Sequence, residues 1–282
     1  MEPYSFPAFE EAAEAGDIEL YAEREEYRRA VADSDYEFFK ISYQSDGLAV
    51  RCYLYRPAKP APRPTVVFNR GSYLRGDIAP ELITLFHRFA QEGFTVLAPL
   101  YRGSDGGQGR DEMGGDDLND LLNVVPLAKS LESVDSDQLF LYGESRGGMM
   151  VLQALREGFP ARAAAVYGAF SDLGALFQAE PERYMAMARQ VFPDFPQRME
   201  DIIERRSAVK WADRISVPLM ILHGGEDQSI PPLHALKLAE KLEEYGKTYE
   251  LLIYANDNHI LSRHRNPRDR RVAAWFRSHG SR

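Results

Sequence analysis

Ser145 sits in the run Gly143-Glu144-Ser145-Arg146-Gly147, and its neighbours decide what it can do. Upstream, Leu139 to Tyr142 is a short apolar run that reads as a buried strand. Downstream, Gly148 to Arg156 is an amphipathic run that reads as a helix. Gly-x-Ser-x-Gly between a strand and a helix is the sharp turn that lifts a serine hydroxyl clear of the backbone for nucleophilic attack. Small residues on either side let strand and helix approach closely. The turn also puts Ser145 at a helix N-terminus, where free N–H groups and the helix dipole favour negative charge on a reacting oxygen. The bland reading is a glycine turn with an incidental serine, and the pattern alone does not separate the two.

Partners separate them. A serine hydroxyl is a poor nucleophile at neutral pH, so it needs a base, and the base needs an orienting carboxylate. Where this elbow occurs the chain order is serine, acid, histidine. Asp227 in ILHGGEDQSIPP follows an apolar run ending at His223, and His259 in YANDNHIL follows one ending at Tyr254. Both therefore fall in loops at strand carboxyl ends, on the same sheet edge as the elbow. Glu226 competes with Asp227 but reaches the same place only from a shifted loop. His223 reads as packed against its strand, and His264 as the start of the last helix. No compact Cys, Asp or His set completes a metal coordination sphere around His259 and His264, so neither metal nor cofactor is expected.

An oxyanion needs donors as well. One expected donor is the backbone N–H of Arg146, the residue after the nucleophile. Others are expected from the loop Asn69, Arg70, Gly71, Ser72, Tyr73, in which the glycine permits a close backbone approach and Asn69 or Tyr73 offers a side-chain donor.

These loops need a scaffold, and the chain supplies its rhythm. Residues 8–33 carry Glu and Ala with scattered apolar positions, which reads as acidic helices outside the main sheet. Phe38 to Tyr43 and Ala49 to Tyr55, separated by Ser45-Asp46-Gly47, read as an antiparallel hairpin. The proline-rich stretch 56–64 reads as a connector that cannot continue a ladder.

Strands are then expected at Thr65–Phe68, Phe94–Ala98, Leu139–Tyr142, Ala163–Tyr167, Leu219–His223 and Tyr249–Tyr254. Helices are expected at Leu82–Glu92, Asp116–Leu131, Leu233–Tyr245 and from about Arg268 to Ser278. Such alternation predicts a mostly parallel sheet with helices on both faces and ligands at the strand carboxyl ends. The interruption 173–213 reads as helical on both sides of Pro193 and Pro196. It is either a lid over the catalytic edge or a pair of packing helices. The expected division is an acidic helical segment at 1–36 and one α/β domain at 37–282.

Composition narrows the classes further. The 282 residues carry 34 Lys and Arg against 43 Asp and Glu, a formal net charge of -9. That balance argues against nucleic acid or an anionic membrane as partner. No apolar run approaches the length of a membrane span, and the acidic N-terminus lacks a signal-peptide pattern. The single Cys52 cannot form an internal disulfide, which fits a reducing compartment, so a cytoplasmic protein is expected. Composition leaves the oligomeric state open.

From about Thr65 onward the chain resembles the catalytic domain of the prolyl oligopeptidase-like (S9) serine peptidases, within the α/β-hydrolase superfamily. The pieces that carry the resemblance are PLYRGSDGGQGRDE at 99–112, GGDDLND at 114–120, GESRGG at 143–148, RSAVKWADRISVPLMILHGGEDQSIPP at 206–232 and YANDNH at 254–259. The resemblance implies Ser145, Asp227 and His259 as nucleophile, acid and base, and an acyl-enzyme mechanism on small ester or short peptide substrates. Two departures stand out. The stretch before Thr65 is too short for the β-propeller of the large members, so the glutamates that hold a substrate N-terminus in aminopeptidase members are not carried over. Many members also place Tyr where Asn69 falls. The expectation is therefore a serine hydrolase cleaving short peptide amides or esters. The alternatives are a carboxylesterase acting on small acyl esters and a non-catalytic binding protein on the same fold.

Overall fold

The computed structural model describes residues 1–73 and 76–281. One sheet of nine strands runs through it: β1 (Glu2–Pro3), β2 (Tyr36–Ser45), β3 (Leu48–Pro57), β4 (Arg63–Asn69), β5 (Thr95–Pro99), β6 (Val134–Glu144), β7 (Ala161–Tyr167), β8 (Leu219–Gly224) and β9 (Tyr249–Tyr254). Their spatial order is β1-β2-β3-β5-β4-β6-β7-β8-β9. The first three strands pair antiparallel, and β3 joins β5 antiparallel. From β5 to β9 every neighbour is parallel. The expected mostly parallel sheet with helices on both faces is therefore present, with an antiparallel flank made by the hairpin.

Side chains alternate across this sheet, and both faces are covered. On β6, Leu139 and Leu141 point to one buried cluster and Phe140 and Tyr142 to the other. On β7, Ala164 and Val166 divide from Ala163, Ala165 and Tyr167 in the same way. Strands buried on both faces read as continuous apolar runs, which is why they were visible as such in the sequence.

One layer holds α1 (Phe9–Ala15), α2 (Ile18–Tyr21), α3 (Arg24–Ala32), α4 (Ala79–Gln91) and, at the other end of the chain, α12 (Arg265–His279). The opposite layer holds α5 (Leu118–Leu122), α6 (Val124–Ser130), α7 (Arg146–Arg156), α8 (Leu173–Ala179), α9 (Pro181–Val191), α10 (Met199–Arg205) and α11 (Leu233–Glu244). The N-terminal helices are packed onto the sheet layer. Ile18 and Tyr27 are buried, and Arg265 donates to the Leu20 carbonyl at 2.6 Å and pairs with Glu23 at 3.0 Å.

Three local expectations need correction. The single helix expected at 116–131 breaks at Asn123 into α5 and α6. Pro126 lacks the N–H that would bond back to Leu122, and the Asn123 amide donates to Ser45 Oγ at 3.1 Å. The proline-rich connector is shorter than expected, because Pro57 ends β3 and Pro64 lies at the start of β4. Strand ends tolerate a residue that cannot donate to the ladder. The short edge strand β1, pairing Glu2 with Lys40, was not anticipated.

At the start of α11 a buried histidine links this fold to pH. The Ser171 N–H lies 3.4 Å from His234 Nδ1, and the Ser171 hydroxyl donates to the His234 carbonyl at 2.8 Å. Burial pushes the imidazole down from 6.5 to about 4. Between those values the unfolded chain binds a proton that the folded chain does not, so stability is complete above the upper value and falls as pH drops toward the lower one. The loss should reach roughly 3 kcal/mol. Urea unfolding across this window should give a shallower pH slope for His234→Gln than for the parent; identical slopes would remove His234 as the source.

Candidate active site

β6 ends at Glu144, and α7 begins at Arg146, leaving Ser145 alone at the turn with φ 51° and ψ -119°. A non-glycine residue pays a cost of order 1–3 kcal/mol for such a backbone. The surroundings hold it there: Ser145 N–H donates to the Tyr167 carbonyl on β7 at 2.8 Å, and the N–H groups of Gly148 and Met149 donate to the Ser145 carbonyl at 3.0 and 3.2 Å. Gly147 is indispensable to the turn, since a Cβ there would lie 2.0 Å from the Asn69 carbonyl oxygen. The end of β4 therefore presses directly against the first turn of α7.

Asp227 and His259 lie in the loops after β8 and β9, at the same edge. His259 Nδ1–H donates to Asp227 Oδ2 at 2.7 Å, and the Ser145 hydroxyl donates to His259 Nε2 at 2.9 Å. This tautomer follows from the acceptor-only carboxylate. Gly168, at φ 57°, lets the loop after β7 pass under His259; a Cβ there would lie 2.7 Å from the His259 carbonyl oxygen.

Asp227 is buried and well supplied with donors. The N–H groups of Ser229 and Ile230 each donate to Oδ1 at 2.8 Å. Burial opposes its ionisation, but hydrogen bonds from His223 and His259 and the backbone outweigh it, and the carboxyl is held well below the usual range. His223, expected to be packed against its strand, is buried with Nε2 2.8 Å from the Ile230 carbonyl and 3.1 Å from Asp227 Oδ2. His264 caps α12 and bonds to Asp257 Oδ2 at 2.8 Å, away from this cluster. Glu226 pairs at 3.9 Å with Arg263 instead. Among the described residues no group of three or more His, Cys, Asp or Glu could hold a metal ion.

The side chains expected around the oxyanion divide. Gly71 makes the close approach, since a Cβ there would lie 3.3 Å from Ser145 Cβ. The Asn69 amide is spent on the carbonyls of Val67 and Tyr142 at 3.0 and 3.4 Å, and its oxygen accepts from Tyr101. Arg70 is buried, with donors on the carbonyls of Gly71, Ser72 and Leu100 and on Ser104 Oγ. The Tyr73 hydroxyl sits 3.5 Å from the Asp111 carbonyl. The side chains of Asn69 and Arg70 are thus taken up within the loop and its neighbours rather than by Ser145.

The Arg146 side chain, for which its sequence position gave no warning, is fully buried. It pairs with Asp111 at 2.6 Å and Asp117 at 2.6 Å, donates to the Ser72 carbonyl at 3.1 Å and lies 4.6 Å from the centre of the Tyr101 ring. Beside Ser145 opens a cavity of about 260 Å3 whose wall includes Phe170, Leu173, Leu176, Tyr184, Met187 and Ile230. Glu144 and, from α2, Tyr21 reach the same cavity. Sequence reading missed both: Glu144 was visible only as the variable residue of the elbow, and Tyr21 lies far away in the chain.

Comparison with known proteins bears on this edge of the sheet. The sequence model of the prolyl oligopeptidase family matches residues 81–281. An uncharacterized peptidase of Bacillus subtilis (strain 168), YtmA, is 29% identical over 257 residues, covering 90% of this chain and 98% of its own. A second from the same organism, YuxL, is 30% identical over 261 residues, covering 85% of this chain but only 39% of its own. Among solved structures, a Mycobacterium tuberculosis puromycin-hydrolyzing peptidase superposes with a TM-score of 0.73 at 22% identity over 86% of this chain and 39% of its own. The chain thus spans nearly all of one relative and about two fifths of the other two. Among the described residues no helix is long and apolar enough to cross a membrane.

Replacing Arg146 by Ala leaves Asp117 buried without its cation and Asp111 with only the longer pair to Arg70 at 3.6 Å. The variant should lose about 3–5 kcal/mol of stability in urea unfolding; a loss below about 1 kcal/mol would show that the acids are satisfied without it.

Proposed function

Since the chain belongs to the prolyl oligopeptidase family of serine hydrolases, we propose that it cleaves short peptide amides and esters through an acyl-enzyme formed on Ser145. The observation that carries this reading is the unbroken relay from Ser145 Oγ to His259 Nε2 at 2.9 Å and from His259 Nδ1 to Asp227 Oδ2 at 2.7 Å. In the first half-reaction Ser145 Oγ attacks the scissile carbonyl while His259 takes its proton. The imidazolium then returns that proton to the departing amine or alcohol, and the ester bond to Ser145 remains. Water, deprotonated by the same imidazole, breaks that ester and restores the hydroxyl. Asp227, held ionised by its donors, fixes the tautomer and stabilises the imidazolium.

Negative charge on the tetrahedral oxygen falls to the N–H of Arg146 at the start of α7 and to the backbone at Gly71, whose closeness to Ser145 supports that role. The apolar wall of the cavity accommodates the acyl group's side chain. Helices α8 and α9, which supply Leu173, Leu176, Tyr184 and Met187 to that wall, act as a cap that limits substrate size. The carboxylesterase alternative uses the same acyl-enzyme, so substrates decide between the two. A binding protein without chemistry has no use for the relay.

A fluorophosphonate probe should label the parent stoichiometrically and fail to label Ser145→Ala. Turnover of a p-nitrophenyl ester should fall by at least about 1,000-fold in Ser145→Ala and His259→Ala, and in Asp227→Asn as well. Ordinary turnover in folded Ser145→Ala would sink the assignment, and the relative rates on p-nitrophenyl esters and aminoacyl anilides would rank ester against amide substrates.

A further inference from the structure

Glu144 places a buried carboxyl group beside Ser145. It is only 4% exposed, lies immediately before the nucleophile and lines the catalytic cavity. Its carboxylate accepts a hydrogen bond from the Tyr21 hydroxyl at 3.2 Å. Among the described residues it has no cation within ion-pair distance. Among the described residues, Arg146 is paired with Asp111 and Asp117, Arg268 with Asp269, and Arg183, on the cavity wall, with Glu180. A carboxylate taken out of water is costly unless it is paired, so a cavity that keeps one open beside its nucleophile is built for a ligand that brings the positive charge.

The reach is right for one class of ligand. A methyl group placed on Gly71 would touch Ser145 Cβ at 3.3 Å and the Glu144 carboxyl at 3.4 Å, so carboxylate and nucleophile flank the same narrow point. An acyl group bound for attack by Ser145 Oγ has its α-nitrogen two bonds from the carbonyl carbon. We propose that Glu144, oriented by Tyr21, binds the protonated α-amino group of the acyl moiety, so that the site selects aminoacyl amides and esters with a free amine over N-blocked ones. The proposal rests on the acyl-enzyme reading above and names its substrate class.

Tyr21 gives this selection an unusual origin. It lies in the N-terminal segment, outside the 81–281 stretch that matches the family. Its helix is fixed by buried Ile18 and by Arg265, which holds Leu20 and Glu23 on either side of it. The Tyr21 ring and the apolar wall of Phe170, Leu176 and Met187 then enclose the side chain of the same acyl residue.

The test compares kcat/KM for leucine p-nitroanilide and its N-acetyl counterpart in the parent, Glu144→Gln and Tyr21→Phe, with fluorophosphonate labelling of each protein to report an assembled serine. The parent should favour the free amine by roughly ten- to a hundredfold, the range of a charge-assisted hydrogen bond. That ratio should fall toward one in Glu144→Gln, mainly through KM for the free amine, and partway in Tyr21→Phe. Because each ratio is taken within one protein, partial misfolding does not change it, and the two variants test the pair independently. A labelled parent with no preference for the free amine, or a ratio unchanged in both variants, would overturn this proposal alone. An unlabelled, inactive parent would overturn the acyl-enzyme reading and this proposal with it.

Discussion

A buried guanidinium holds the reaction edge together. Arg146 follows Ser145, so its backbone belongs to the elbow while its side chain runs inward to Asp111 and Asp117. Tyr101 is shared: the Arg146 guanidinium lies 4.6 Å from its ring centre and that of Arg70 5.0 Å. Through these contacts three separate stretches, the loop after β4, the loop after β5 and the start of α7, are fixed relative to one another. Such a cluster adds little stability over an apolar packing of equal size, but removing one member strands the others. Its worth is geometric, because it holds the loop at Gly71 so close to Ser145 that a Cβ on the glycine would lie 3.3 Å from the serine Cβ.

The second constraint is strain at Ser145 itself. A serine at φ 51° persists only when its surroundings over-determine it. Here strand β7 accepts its N–H, the helix amides bind its carbonyl, and Gly147 is pressed against Asn69. This edge of the sheet is therefore stiff at Ser145 and is built of loops at His259 and Asp227, each loop anchored to the carboxyl end of its own parallel strand. Cationic Arg206 adds a further anchor by donating to the carbonyls of Met113 and Glu112, which ties the loop carrying Asp111 to α10.

What was legible in the sequence was what is local. Apolar runs buried on both faces announced the parallel strands, and chain order alone put Asp227 and His259 in loops at one edge with Ser145, where their side chains meet. What stayed hidden was whatever depends on packing between distant segments. Nothing about Arg146 in its pentapeptide says that two aspartates from an earlier loop will bury it. Asn69 reads as a free donor until the neighbouring carbonyls of Val67 and Tyr142 are seen to claim its amide. Tyr21 meets Glu144 across 123 positions of sequence, and no period or motif encodes that encounter. The break at Asn123 has a local cause in Pro126, whose missing N–H interrupts the helical ladder.

The clamp of Arg265 on Leu20 and Glu23 also has a meaning for biosynthesis. A chain leaves the ribosome N-terminus first, so the segment carrying Tyr21 is made long before its clamp, and the serine long before its base. Until the stretch from His259 to Arg265 is translated, the nascent chain carries the Ser145 hydroxyl without its imidazole partner and the N-terminal helix without its Arg265 clamp. Ser145 and its imidazole partner, and the segment of Tyr21 and its clamp, therefore come together only once that stretch has been made and has docked.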